Sequence, residues 1–235
     1  MINRNSLGFL GQFYVSLKYN FKKIYQNSNF YEKKISKTFD NYFQYKPSPH
    51  LLSSTIKYQN KRYRIEDFAV ESIWQNKMNI KDYEKLNNFF WFFSLDLKSS
   101  KESTQLVIKN WVKDNGKYNK NSWEFDITSK RIIAWLSNHQ LTYQDSEKEY
   151  RLMFDHIIQK QTNHLLNEIK SSNEFENKLI GCSAIILTGL AYKNEKNCLV
   201  CGLAILKNIF KSSIDNQSFM KSRNIKLLVF YLKYL

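Results

Sequence analysis

Arg131 and Trp135 form a pair whose types and spacing could perform chemistry. They lie four residues apart in the stretch from Trp123 to Leu136, where isoleucine and leucine recur at helical spacing, so both should share one helix face. A guanidinium beside an indole forms either a packed cation–π pair or part of a ligand surface. Asp126 is expected to cap the start of this helix, because its carboxylate can accept first-turn N–H groups.

The cysteines are a second candidate for chemistry. Cys198 and Cys201 have the CxxC spacing of a redox or metal half-site, but no second pair and no nearby histidine accompanies them. They stand in an apolar helical run, so we interpret them as small core residues. The sequence also lacks a glycine-rich phosphate loop, zinc-ligand spacing and a Ser–His nucleophile signature. We therefore expect neither a cofactor nor a metal.

The charge of the chain is strongly positive. Its 235 residues include 36 Lys and Arg against 21 Asp and Glu, a net charge of +15. Such an excess attracts polyanions: nucleic acid, an anionic membrane or an acidic polysaccharide. Lysines are scattered along a chain also rich in Asn, Ile and Tyr, as an AT-rich genome produces. A nucleic-acid partner is not expected, because that function predicts a continuous basic stripe.

The N-terminal region predicts a helix rather than a targeting signal. No apolar run reaches the length of a transmembrane helix, and the charged–apolar–cleavage pattern of a signal peptide is lacking. Residues 6–25 carry apolar side chains at helical spacing, which predicts an amphipathic helix that stays on the protein. We expect no membrane span, and the sequence leaves open both the compartment, cytoplasmic or periplasmic, and the oligomeric state.

Long helices with short polar connections are expected for most of the chain. The 6 Gly and 2 Pro are too few for the many turns of a β-sandwich or barrel. A polar stretch with Pro47 and Pro49 and a possible hairpin over residues 54–68 follow the first helix. Further helices are predicted at about residues 79–98, 100–113, 126–136, 146–169, 176–192, 196–211 and 222–235.

Two features of the later helices bear on how they pack. The small residues Gly181, Ser183, Ala184 and Gly189 predict a close approach between helices. The last helix is strongly apolar and has no stop signal, so we expect the sequence to be a fragment of a longer protein. Successive helices of this kind form helical hairpins, which stack as a bundle, a solenoid or a closed toroid. Periodicity alone leaves these three arrangements open.

Six motifs in order carry a resemblance to a known family. They are Trp91 with Asp96-Leu97, Trp111, Trp123 with Arg131 and Trp135, Gln161 with Leu165, Gly189-Leu190, and Asp215 with Ser222-Arg223-Asn224. This order is similar to the toroid domain of heparinase II/III-like polysaccharide lyases, in particular a bacterial branch. The resemblance implies an all-α fold: an incomplete (α/α) toroid over residues 71–235, cut off at its C-terminal end. An N-terminal segment, residues 1–70, precedes it, and the family's C-terminal β-sheet domain is missing.

The resemblance also implies a reaction. The family cleaves uronate-containing polysaccharides by β-elimination, in which a base removes the C5 proton and an acid protonates the leaving oxygen. An asparagine that neutralises the uronate carboxylate lies in the toroid. Two positions compete for it: Asn163, which His164 follows as in the family's Asn-His motif, and Asn177, which fits the spacing to Gly189. The alternative roles are a structural histidine for His164 and a helix cap for Asn177.

Four residues are implied as substrate contacts: Arg223, Arg131, Trp135 and Trp123. Arg223 suits a carboxylate or sulfate because of its fork geometry, although a salt bridge to Asp215 is an equal alternative. The family's loop there has two glycines, a histidine and a proline that this sequence lacks. Aromatic faces bind sugar rings, but large aromatics mostly fill cores. We expect at most two of the tryptophans at positions 74, 91, 111, 123 and 135 to line a cleft.

These observations lead to one expected function and two alternatives. We expect the N-terminal fragment of a heparinase II/III-like lyase acting on an acidic polysaccharide. The fragment alone should have little activity, because some catalytic residues lie beyond residue 235. The alternatives are a non-catalytic helical module that binds anionic glycans and, on charge alone, a nucleic-acid-binding helical protein. The leading hypothesis requires a concave wall of helices from which Arg131 and Arg223 face the sugar acid.

Overall fold

The chain is an assembly of helices. The computed structural model describes residues 4–38, 43, 64–65, 79–172, 174–192, 196–217 and 219–234. In these ranges the α-helices are α1 Arg4–Gln26, α2 Asn29–Ile35, α3 Ile80–Asn87, α4 Lys101–Asn115, α5 Phe125–Ser137, α6 His139–Thr142, α7 Lys148–Glu168, α8 Phe175–Ala191, α9 Lys196–Ser213 and α10 Ile225–Tyr234, with one 3₁₀ helix, Phe90–Ser94.

The all-α prediction is confirmed for the described ranges. They contain no strand, and their β-type pairing is limited to isolated antiparallel bridges from Phe43 to Tyr192 and from Ile214 to Met220. No described helix combines the length and apolar character needed to cross a bilayer. Pro47, Pro49, Trp74 and the possible hairpin, apart from residues 64–65, lie outside the described residues.

α8 is the helix around which the C-terminal half is assembled, since it packs against α5, α7, α9 and α10. Two of its glycines explain the close contacts. A Cβ atom at Gly181 would lie 2.3 Å from Cζ of Phe125, and one at Gly189 would lie 2.7 Å from the backbone N of Leu199. The predicted close approach is therefore confirmed: side chains at these positions would push α8 away from α5 and α9.

The aromatic run after residue 87 does not continue a helix to residue 98, as the sequence predicted. α3 ends at Asn87, Phe89 has a left-handed backbone with φ of 57°, and the chain then forms the 3₁₀ helix. In a straight helix, consecutive aromatic side chains point about 100° apart and cannot all face one core. The break lets the chain bury Phe89 and Phe92 together, with the Phe89 ring centroid 5.0 Å from that of Trp135.

The starts of α4 and α5 differ in how they are capped. The hydroxyl of Ser100 caps α4 by accepting a hydrogen bond from the N–H of Ser103. The prediction that Asp126 caps α5 was wrong. α5 already begins at Phe125, and Asp126 lies in its first turn, where it pairs with Lys130 at 2.6 Å. A carboxylate there still interacts favourably with the positive end of the helix dipole.

Candidate functional site

A basic groove is the best candidate site in the described part of the chain. It lies between α1, the connection from α4 to α5, and α7, and has a volume of about 440 Å³. We call it the basic groove, and its lining consists of Tyr19, Lys22, Lys23, Gln26, Asn27, Tyr118, Lys120, Asn121, Trp123, Glu124, Phe125, His164 and Glu168. Three lysines and five aromatic or imidazole rings thus surround one hollow, against two glutamates.

A chain of hydrogen bonds crosses this groove. Tyr118 donates its hydroxyl to Oε1 of Gln26 at 2.9 Å, and Nε2 of Gln26 donates to Glu168, also at 2.9 Å. Glu168 is in turn ion-paired with Lys22. Burial, and secondarily the charge of Glu168, raises the pKa of Tyr118 to about 12. The Tyr118 hydroxyl is therefore protonated at neutral pH and serves as a donor rather than a base.

The edge of the basic groove nearest α1 is more exposed. Lys120 hydrogen-bonds to the hydroxyl of Tyr19, and this bond, with the ammonium charge, lowers the pKa of Tyr19. Lys23 is exposed beside them. These two lysines are held less firmly than Lys22 and can turn toward an anion in the groove.

His164 forms the buried floor of the groove and is fully engaged. Its Nε2 lies 2.9 Å from the carbonyl oxygen of Trp123 and its Nδ1 lies 2.7 Å from the hydroxyl of Tyr31. A carbonyl only accepts, so Nε2 carries the proton and Nδ1 accepts from Tyr31. Burial lowers the pKa of His164 to about 3. The imidazole therefore joins α7 to α2 and to the segment before α5 as a neutral ring.

Arg131 and Trp135 do not face any hollow. Both side chains have zero exposed area. The guanidinium of Arg131 lies over the ring of Trp111, 4.0 Å from its centroid, so the cation–π partner is on α4 and not Trp135 on the same helix. In this conformation neither side chain offers a substrate any surface. The structure therefore corrects the prediction that they bind substrate: both belong to the core.

The hydrogen bonds of Arg131 explain how a buried guanidinium is tolerated. Nη1 donates to the carbonyls of Asn87 and Ser122, each at 2.9 Å. Nε donates to Oε1 of Gln161 at 3.0 Å, and Nη2 donates to Thr128 at 3.2 Å. All four acceptors are neutral, and burial lowers the pKa of Arg131 well below its usual value. Arg131 thus connects α5 to the end of α3, to α7 and to the segment before α5.

Trp123 is the one predicted sugar-binding tryptophan that reaches the basic groove. It is almost fully buried, and its indole N–H donates to the carbonyl of Asn115 at 2.7 Å. Only an edge of the ring is therefore available from the groove. The ammonium of Lys160 lies 5.4 Å from the centroid of the same ring on the inner side, where it also pairs with Glu32 of α2.

The two candidates for the catalytic asparagine lie in different places. Nδ2 of Asn163 donates to the carbonyls of Ile35 and Lys37, both at 2.9 Å, and so fastens the end of α2 to α7. Asn177 lies in the first turn of α8, where its amide donates to Glu174 at 2.7 Å. Neither residue lines the basic groove. Their observed contacts are those of structural and helix-start residues.

Arg223 lies in the connection from α9 to α10, at a left-handed backbone position with φ of 50°. Its Nη2 donates to Oδ2 of Asp215 at 2.7 Å, and its side chain is 59% exposed. Backbone N–H groups of Phe219 and Gln217 also bond to Asp215, and they lower its pKa together with Arg223. The alternative of a salt bridge to Asp215 is therefore observed, while one side of the guanidinium stays open to solvent.

Sequence reasoning missed two features of the described residues. One is an acidic groove between α4 and the start of α7, where Glu102, Asp145, Glu147 and Glu149 outnumber Lys109. The other is the carboxylate of Asp155, which accepts hydrogen bonds from the hydroxyls of two tyrosines, Tyr143 at 3.1 Å and Tyr192 at 2.9 Å. An Asp between Phe154 and Ile157 on an apolar helix face was a detectable signal for the second feature.

Metal chemistry finds no support in the described residues, where no group of three His, Cys, Asp or Glu side chains could hold an ion. Cys182 and Cys198 are buried and Cys201 is partly buried, in line with the interpretation as small core residues.

Comparison with known proteins gave no relative: no protein-family model, no curated protein and no solved structure matches this chain.

Proposed function

We propose that this chain is the helical part of a protein that binds an acidic, uronate-containing polysaccharide and cleaves it by β-elimination, as heparinase II/III-like lyases do. The order of the tryptophan, arginine and glycine motifs supports the family. The basic groove supports the substrate class and carries the proposal. Its lysines replace Arg131 and Arg223 as the positive groups that face the sugar acid, because Arg131 is buried in the core and neither arginine lines the groove. In this view, the hairpins around α8 are a segment of an incomplete (α/α) toroid.

The chemistry of the basic groove suits a sugar acid. The ammonium groups of the exposed Lys23 and Lys120 can pair with carboxylate or sulfate groups, while Lys22 is held by Glu168. The partly exposed ring of Tyr118 can contact a sugar face. Its volume of about 440 Å³ lies in the range of about 300–1,000 Å³ for ligand pockets. The groove can therefore take a short stretch of chain. The acidic groove, with four carboxylates, would repel the same ligand.

The catalytic part of the proposal assigns the described residues a limited role. Tyr118 is protonated at neutral pH and donates its one O–H to Gln26, so its hydroxyl oxygen can accept a hydrogen bond from a sugar hydroxyl. His164 is occupied by structural hydrogen bonds, so the base must be another group. The amide of Asn163 is occupied as well, so it is not free to neutralise the uronate carboxylate. We therefore expect this chain by itself to bind the polysaccharide with little or no turnover.

The basic groove also favours a second candidate, a non-catalytic module that binds anionic glycans. In the lyase, residues outside the described part supply the base, whereas in the module nothing does. Incubating the full-length protein that the lyase proposal requires with several uronate polysaccharides, and following the ultraviolet absorbance of the unsaturated product, separates the two. A rise in absorbance supports the lyase, and binding without any rise supports the module. Absence of both binding and product contradicts the two candidates together.

The location of binding is tested with charge-matched variants. We expect Lys23→Gln with Lys120→Gln to weaken heparin binding at least threefold at low salt, since two ammonium groups leave the groove. Lys81→Gln with Lys207→Gln removes the same charge from exposed positions outside the groove and should change affinity far less. Equal losses in both pairs would indicate diffuse charge attraction. Full displacement of heparin by duplex DNA, with a steep salt dependence, would favour the nucleic-acid alternative.

A further inference from the structure

α1 turns its polar side toward the helical body. Lys22 is ion-paired with Glu168 at the end of α7, and its ammonium lies 3.4 Å from the hydroxyl of Ser171 in the turn that follows. Gln26 exchanges hydrogen bonds with Glu168 and Tyr118. These contacts all come from one side of α1, because Lys22 and Gln26 are four residues apart.

The opposite side of α1 carries a stripe of large apolar side chains that the described residues leave uncovered. We call Phe13, Leu17, Phe21 and Ile24 the α1 stripe, and their exposed fractions are 56%, 40%, 69% and 69%. Spacings of four, four and three residues put them on one face, and at 3.6 residues per turn this face lies opposite Lys22 and Gln26. α1 is thus an amphipathic helix docked by its polar face, the reverse of the usual arrangement.

The charge around the α1 stripe restricts what can cover it. Residues 11–31 contain three lysines and no acidic residue, and Lys18 and Lys23 flank the stripe on its two sides. Pairing with α1 of a second copy would set lysines against lysines with no carboxylate to compensate them. A glycan or nucleic acid would satisfy the lysines but leave the apolar side chains in water.

An anionic lipid surface can both pair with the lysines and take the apolar side chains out of water. Helices that lie in the plane of a bilayer combine a face of Phe and Leu with flanking Lys, and anionic headgroups attract the latter. Exposed Tyr14 and Tyr25 adjoin the α1 stripe, and tyrosines are favoured at the depth of the headgroups. The helical body, held on the polar face of α1, would stay in water.

We propose that α1 lies in the interface of an anionic bilayer through the α1 stripe and holds the helical body at the membrane surface. This inference is independent of the polysaccharide proposal, because it uses the face of α1 that points away from the basic groove. It requires no membrane-crossing segment.

The experiment is cosedimentation of the full chain with vesicles. We expect binding to vesicles of equal parts phosphatidylcholine and phosphatidylglycerol, and at least tenfold weaker binding to phosphatidylcholine alone. Phe13→Ser with Phe21→Ser should reduce binding to the anionic vesicles at least tenfold. Ser and Phe have similar helix propensities, so α1 should persist, and circular dichroism checks this. Leu152→Ser with Val200→Ser, at exposed positions on α7 and α9, is the matched control and should bind as the parent does.

Two results would overturn the inference. One is failure of the parent chain to sediment with the anionic vesicles, and the other is equal binding by the α1 variant and the parent. A concentration-dependent dimer that Phe13→Ser with Phe21→Ser abolishes, without vesicle binding, would instead assign the α1 stripe to a second copy. Lys18→Glu should lower binding to anionic vesicles further than Lys207→Glu, and equal effects would contradict the role given to the flanking lysine.

Discussion

The guanidinium of Arg131 and the indole of Trp111 stack 4.0 Å apart in the interior, joining α5 to α4. Because four neutral acceptors surround this guanidinium, its geometry matters more than its charge. An ammonium cannot reach all four acceptors, and each one left alone costs about 1–3 kcal/mol.

Arg131→Lys should therefore lower the free energy of unfolding by about 3 kcal/mol, as measured by urea denaturation at neutral pH. Arg151→Lys is the matched control. Arg151 is exposed, and its hydrogen bonds within the described part of the chain go to the carbonyl of Ser146, so the substitution should change stability by less than about 0.5 kcal/mol. Arg131→Lys unfolding at the parent's urea midpoint would show that the network contributes little.

Alanine substitutions of Gly189 in α8 and of Gly11 in α1 should change stability in opposite directions. Gly189→Ala places a Cβ 2.7 Å from the backbone N of Leu199, so α8 and α9 must separate at a cost of about 2 kcal/mol. Gly11→Ala meets nothing within 4 Å in α1 and should raise helix stability by about 0.5–1 kcal/mol. Thermal unfolding of the two variants checks this. Stabilisation by Gly189→Ala would mean that the two helices are not closely packed.

His164 should make the protein sensitive to acid. Burial lowers the pKa of His164 from its usual 6.5 to about 3 in the folded protein, so below pH 6.5 the unfolded state binds a proton that the native state does not. Stability is then lost as the pH falls, by about 2 kcal/mol between pH 7 and pH 5. In His164→Gln, an amide can replace both hydrogen bonds without titrating, so the loss should shrink. Burial also lowers the pKa of His156, which is more exposed, so His156→Gln should shrink the loss less than His164→Gln does. Equal curves for the parent and His164→Gln would contradict the prediction.

Asp155 should make stability depend on pH in the opposite direction, so that stability falls as the pH rises. Burial raises its pKa from 3.8 to about 6, although Tyr143, Tyr192 and Arg151 partly offset this. The stability that the protonated carboxyl contributes is complete below pH 4 and is lost as the pH rises through 6. Asp155→Asn should therefore gain about 2 kcal/mol on the parent between pH 4 and pH 7. Urea unfolding of both proteins across this range measures the gain, and a constant difference would contradict it.

Helical periodicity predicted most of the described helices because apolar residues recur wherever a helix packs on a core. It failed after residue 87, where tertiary packing of Phe89 and Phe92 overrides the local pattern. The pattern also misplaced the start of α5, because the helix begins at Phe125, two residues earlier than a cap at Asp126 implies, and has no side-chain cap.

The candidate site was harder to predict, because it depends on tertiary contacts between residues that are distant in sequence. The sequence places Arg131 and Trp135 on one helix face, but cannot say that this face is interior or that the partner ring is Trp111. The basic groove joins α1 to residues about a hundred positions later, and no local pattern reports such a distant pairing. The family resemblance named His164 and Trp123 as candidate site residues but did not predict the groove that they line or the hydrogen bond between them.

The buried ion pair between Lys160 and Glu32 gives the fold a chemical reporter. Lys160 is 4% exposed, and its ammonium also donates to the carbonyl of Gly116 at 2.5 Å. An amine-reactive reagent should acylate the surface lysines quickly and Lys160 slowly, because acylation needs an accessible, deprotonated amine. Peptide mass mapping of the Lys160 label over time would therefore follow the undocking of α2 from α7.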